Sequence, residues 1–139
     1  MTQKQEPRWN PISRLPMIAT AIDGMLELAQ EQYSTLLQAR ERPHVLDDYT
    51  VGRVTSVFTQ QANDLWLYEE QLVRWKKDDL TAIERQEVER LVGQMTSLRE
   101  VITAILTLAA ELQRGTIESV LSKSDLEIAL EVLSGQRKP

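Results

Sequence analysis

The sequence predicts an all-α protein: an elongated, antiparallel up-down bundle of three long helices, with a broken, short C-terminal fourth helix packed on one end. Apolar residues recur at spacings of three and four almost throughout, and no alternating runs bounded by turn residues occur. Four of the five prolines lie in the first third of the chain, and the fifth is the last residue. Residues 44–138 are therefore free of the strongest helix breaker.

The first predicted helix runs from about residue 13 to residue 42 and is stopped by Pro43. Pro16 is tolerated because it falls in the first turn, where its missing N–H is not needed. The apolar seam of this helix consists of Leu15, Ile18, Ile22, Met25, Ala29, Leu36 and Ala39.

The second predicted helix begins after a loop that ends in Asp47 and Asp48, either of which can cap its free amides. It ends near Lys77. Its seam consists of Val51, Val54, Phe58, Leu65, Tyr68, Leu72 and Trp75. Gln32 and Gln61 interrupt the first and second seams, and we expect the two amides either to hydrogen-bond inside the bundle or to turn outward.

The third predicted helix opens with a capping box formed by Thr81 and Glu84. Gly115 is expected to end it as a left-handed residue. Its seam consists of Val88, Leu91, Met95, Leu98, Ile102, Ile105, Ala109 and Leu112. Helices of roughly 27 to 32 residues are about 40 to 48 Å long, and the short loops between them require antiparallel neighbours.

The part of the third helix between 101 and 112 has an unusually wide apolar face, because Val101, Leu106 and Leu108 lie outside the seam. We expect a further element to cover it. Residues 116–134 supply a candidate: Thr116 can cap a short helix, and Ser124 with Glu127 can cap a last helix over about 125–134. The last helix is apolar on nearly every side, so one face is expected to meet another subunit or a partner.

The predicted organisation is a flexible N-terminal arm over 1–12, a single helical-bundle domain over 13–135 and a tail over 136–139. The net charge of −5 makes nucleic-acid binding improbable. We find neither the apolar core of a secretory signal nor a stretch long enough to span a bilayer, and we expect a cytoplasmic protein.

Catalytic motifs are missing from the sequence. It has no cysteine and one histidine, His44, whose neighbours Asp47 and Asp48 make a poor metal site. Glu69 and Glu70 begin a run similar to the metal-binding motif of the all-helical nucleotide pyrophosphohydrolases, but Val73 replaces its third glutamate. A surface pair of Glu70 with Arg74 is the favoured role. We expect no metal, no cofactor and no enzymatic activity.

These observations favour a protein that works by association, as a homo-oligomer, an adaptor or a subunit of a larger assembly. The candidate interface residues are Trp66, Leu126, Ile128, Leu130, Val132 and Leu133. Two alternatives stay open. One is a divergent metal-dependent all-α nucleotide hydrolase, and the other is a small regulator that touches DNA through "RWKK" and the basic tail.

Overall fold

The computed structural model of the protein describes residues 7–42 and 47–134, with side chains described as far as Gly115. A short 3-10 helix, Ile12–Arg14, leads into α1, which spans Leu15–Glu41. Helix α2 spans Asp48–Lys76 and α3 spans Ala82–Ser134. Within these ranges there is no strand. The predicted all-α packing of three long helices is confirmed.

The predicted helix starts are confirmed by their caps. The backbone N–H of Thr50 donates to Asp47 Oδ1 at 2.8 Å, which caps α2. At the start of α3, the Thr81 N–H donates to Glu84 Oε1 at 2.9 Å and the Glu84 N–H donates to Thr81 Oγ1 at 3.1 Å. At both helix starts, a side chain accepts a hydrogen bond from a backbone N–H that has no partner inside the helix. These capping side chains therefore set where each helix begins.

The core follows the predicted seams closely. The buried seam residues are Leu15, Ile18, Ile22, Ala29, Leu36 and Ala39 of α1, Val51, Val54, Phe58, Leu65, Leu72 and Trp75 of α2, and Val88, Leu91, Met95, Leu98, Ile102, Ile105 and Ala109 of α3. Three seam residues, Met25, Tyr68 and Leu112, are only partly buried. Leu112 lies near the end of the bundle, whereas the other two face a groove described below.

Helix α3 is the central element of the bundle. It packs along both α1 and α2, whereas α1 and α2 make little direct contact with each other. A helix that packs against two neighbours needs an apolar stripe for each of them. This requirement explains the wide apolar face of α3. Leu108 is 4% exposed, and Val101 and Leu106 are partly buried against the core. The bundle itself therefore buries Leu108 and covers part of Val101 and Leu106, the surface that the sequence assigned to a fourth helix.

Gly115 does not end α3, contrary to the sequence prediction. The backbone is helical through this residue and on to Ser134, so the turn expected at Gly115 and the break expected before Ser124 are not seen. A glycine disfavours a helix interior by only about 1 kcal/mol, and continuation adds a backbone hydrogen bond for each residue fixed. The separate fourth helix is not confirmed, and the side chains of 116–134 lie outside the described residues.

Two ion pairs connect α3 to its neighbours near the surface. Arg90 of α3 meets Asp23 of α1 through two hydrogen bonds of 3.0 and 2.8 Å, and Glu87 shares the same guanidinium. Arg99 of α3 pairs with Glu69 of α2. The hydrogen bonds from Arg90, and then from Gln94, lower the pKa of Asp23, and the same pairing with Asp23 raises the pKa of Arg90. These contacts fix how α1 and α2 are aligned along α3.

Replacing Asp23 with Asn is expected to lower the free energy of unfolding by about 0.2 to 1 kcal/mol at neutral pH, the usual range for an exposed pair. Because folding lowers the pKa of Asp23, its contribution is present above the ordinary carboxyl pKa and is lost as the pH falls through the lower folded value. The difference between the two proteins should therefore disappear in acid. Urea unfolding at neutral and acidic pH measures it.

The matched control is Glu27→Gln, since Glu27 is an exposed α1 carboxylate outside the ion pairs found among the described residues. An equal loss in both variants would show that net charge, rather than the contact with Arg90, sets the stability.

Candidate functional site

A groove runs between α1 and α2, and its lining comes from these two helices and the N-terminal arm. It consists of three hollows of about 330, 270 and 360 Å³. Ile18, Met25 and Gln32 of α1 line them in that order, seven residues apart and therefore on one face. The α2 side is lined by Thr50, Arg53, Val54, Val57, Phe58, Gln60, Gln61, Asp64, Leu65, Leu67, Tyr68 and Gln71, with Tyr49 at the end.

The groove carries apolar surface that the bundle leaves uncovered. Met25 and Tyr68 continue the core seams, yet they remain partly exposed where they line it. Val57 is 57% exposed at its centre. Leu28, also exposed, lies three residues after Met25 and so shares its face. A surface of this kind is typical of a docking site.

The two glutamines that interrupt the seams, Gln32 and Gln61, do not form an amide pair, which was one of the two arrangements that the sequence left open. Gln32 lies level with Val54 and Phe58, whereas Gln61 lies level with Met25, roughly two helical turns away along α1. No hydrogen bond joins the two amides among the described side chains, and Gln61 Oε1 is buried without a hydrogen-bond partner. The floor of the groove therefore holds an acceptor that needs a donor.

The N-terminal arm closes one end of the groove. The backbone N–H of Asn10 donates to Gln71 Oε1 at 2.6 Å, and Gln71 Nε2 donates to the carbonyl oxygen of Asn10 at 3.3 Å. Trp75 Nε1 donates to the same carbonyl at 2.9 Å. Gln71 is only 3% exposed, so its amide replaces the hydrogen bonds that water would otherwise make with this backbone.

Trp66, one of the predicted interface residues, lies outside the groove on the exposed surface of α2. It is 50% exposed, and its ring meets the edge of Trp9 with 6.4 Å between ring centroids. The guanidinium of Arg74 lies 4.3 Å from the centroid of the Trp9 ring. The three side chains fasten the arm to α2, which gives Trp66 a contact within its own chain.

The other predicted interface residues, Leu126, Ile128, Leu130, Val132 and Leu133, lie on the C-terminal part of α3. Trp66 is close to the level of Arg99, because Glu69 one turn away pairs with it. From Arg99 to Leu126 is about 40 Å along the helix. Within one chain the structure therefore separates Trp66 from these five residues, whose side chains lie outside the described residues.

Carboxylates do not gather into a metal site in the part of the chain that the structure describes. No group of three or more His, Asp or Glu side chains with suitable spacing occurs there. The predicted pair of Glu70 with Arg74 is confirmed at 3.3 Å, and Glu69 is paired with Arg99. His44 lies outside the described residues.

Comparison of the chain with protein-family models, with curated proteins and with solved structures gives no match. In the described ranges, no helix combines the length and the apolarity needed to cross a bilayer.

Sequence reasoning missed the roles of Asn10 and Gln71. Asn10 holds the arm through its backbone, which no sequence pattern marks, and through its side chain, whose Nδ2 also donates to Gln71 Oε1 at 3.2 Å. Gln71 stands next to the seam residue Leu72, and a polar residue at that position was the available indication.

Replacing Gln71 with Leu is expected to lower the free energy of unfolding by about 1 to 3 kcal/mol, because the N–H of Asn10 loses its acceptor in a partly buried place. It should also shift the tryptophan emission to longer wavelength, since Trp9 and Trp75 lie beside this contact. Urea unfolding followed by fluorescence measures both effects.

Gln30→Leu is the matched control, because Gln30 is exposed on α1. If the two leucine variants unfold at the same urea concentration, the contact with Asn10 does not hold the arm.

Proposed function

We propose that this protein works by protein–protein association through the C-terminal part of α3, as a homo-oligomer or as a subunit or adaptor of a larger assembly. The observation that carries the proposal is the length of α3. It has 53 residues, against 27 in α1 and 29 in α2, so it extends beyond both.

The position of the overhang follows from the contact between the helices. Gln113 lies beside Gly52, one turn from the start of α2 at Asp48. Residues 116–134 therefore continue for about 28 Å beyond the bundle at the end where α1 finishes and α2 begins. A helix of that length is marginal by itself in water, and its apolar residues favour burial against another surface.

The alternative functions have less support. Glu69 and Glu70 are each paired with an arginine, and no metal-binding group occurs in the described residues, so no observation favours a metal-dependent hydrolase. In "RWKK", Trp75 is buried and Arg74 packs on Trp9. That stretch offers less free positive charge than a phosphate-binding surface requires.

The test compares the intact chain with a chain that ends at Gly115, by size-exclusion chromatography with light scattering. Among the side chains that the structure describes, every buried core residue precedes Gly115, and we expect the shorter chain to keep its bundle. We expect the intact chain to associate and the shorter chain to be monomeric with a retained helical melting transition. Monomers in both cases, with unchanged melting, would remove the proposal.

A further inference from the structure

We infer that the groove between α1 and α2 receives residues 116–134 of a second copy of this chain, so that two copies exchange the C-terminal parts of α3 reciprocally. The inference rests on the proposed function and adds the identity of the partner and the surface that receives the segment. It follows from the placement of the helices, the shape of the groove and the chemistry of the segment.

The bundle has three of the four corners of a four-helix bundle. Helix α3 packs along both α1 and α2, which make little direct contact with each other. In a four-helix bundle each helix packs against two neighbours and lies diagonal to the third. Helices α1 and α2 have the relation of a diagonal pair, and the groove between them lies at the unfilled fourth corner. A helix is therefore the shape that fits it.

The C-terminal part of α3 is a helix of suitable length for this groove. Residues 116–134 would be about 28 Å long as a helix, and the groove from Ile18 to Gln32 is about 21 Å long. Because α3 is helical through Gly115, this segment points away from its own groove. A chain could fill its own groove only by breaking that helix, whereas a second copy can supply the segment intact.

The C-terminal part of α3 leaves the bundle in a direction that suits exchange between two copies. The arm residues Trp9 and Asn10 line the end of the groove next to Gln71, and Gln32 and Tyr49 line the other end. The C-terminal part of α3 leaves the bundle at the end lined by Gln32 and Tyr49, since Gln113 lies beside Gly52. Two copies placed with these ends facing each other, related by a twofold axis, each send this segment into the other groove. Such an arrangement is closed and uses the same surface on both chains.

The surface of the groove and the composition of residues 116–134 are complementary. The groove presents partly exposed Met25, Val57 and Tyr68, and a buried acceptor at Gln61 Oε1. The segment supplies apolar residues that can cover the exposed part of this surface. Its apolar residues are Ile117, Val120, Leu121, Leu126, Ile128, Ala129, Leu130, Val132 and Leu133. Burial of those side chains is the main driving force for association.

Val57→Glu in the intact chain tests the groove, because it places a charge at the centre of the apolar surface. Val57 is 57% exposed, so the substitution should leave the fold of the bundle intact. We expect light scattering to give twice the chain mass of 16.0 kDa for the unsubstituted protein and half of that value for the variant. Circular dichroism should show that the helices are retained.

Ile83→Glu is the matched control. Ile83 is 79% exposed and lines an apolar hollow of about 480 Å³ between the starts of α1 and α3, away from the groove. This variant should keep the doubled mass. If it becomes monomeric while Val57→Glu stays dimeric, the receiving surface is that hollow and the inference is wrong.

Cross-linking distinguishes exchange from folding back. The chain has no cysteine, so single-cysteine variants Val57→Cys and Ser124→Cys can be mixed under denaturing conditions, refolded together and treated with a flexible bismaleimide. We expect a covalent species that contains one copy of each variant. If it does not form, and the doubly substituted chain gives a monomer with an internal link, the chain's own segment fills the groove and the inference is overturned.

The outcomes separate this inference from the proposed function. If the intact chain associates and the chain ending at Gly115 does not, but Val57→Glu has no effect and the cross-link is not formed, the segment docks on another surface. In that case the proposed function stands and the exchange does not. A monomeric intact chain that is unchanged by truncation removes both.

Discussion

The structure depends on the packing of α3 against two helices at once. Helices α1 and α2 both pack along it and make little contact with each other. Contact with two helices requires a wide apolar face, which α3 has over 101–112. Within this face Leu108 is only 4% exposed. Because the burial of apolar surface is the main source of stability, the arrangement of the whole bundle follows from the shape of this helix. The ion pairs of Arg90 and Arg99 then align the two outer helices along it.

The same arrangement produces the groove. Two helices held apart by a third leave an open side between them, and the seam residues on that side, Met25 and Tyr68, are not fully covered. The protein closes one end with its own N-terminal arm, where the side chain of Gln71 takes the place of water around the backbone of Asn10. Helix α3 continues past the other end, which Gln32 and Tyr49 line.

Part of the candidate site could be predicted from the sequence. The pair of Glu70 with Arg74 follows from their spacing of four residues on one helix, and it is confirmed. The groove could not be predicted in the same way. Met25 and Tyr68 have the same three-four spacing as fully buried residues, and periodicity shows which face of a helix is apolar without showing how many neighbours that face meets. The register of Gln32 and Gln61 also depends on the separation of α1 and α2, which no local pattern encodes.

The sequence by itself determined the helices, their starts and the identity of the core, because caps, prolines and apolar spacing act over distances of a few residues. It also predicted that residues 116–134, a largely apolar segment, need a further surface to pack against. Only the tertiary structure decided that α3 lies between its neighbours, that the arm is held through the backbone of Asn10, and that the helix passes through Gly115. The first two features depend on contacts between residues far apart in the chain. At Gly115 the glycine disfavours the helix by only about 1 kcal/mol, and each further helical residue adds a backbone hydrogen bond.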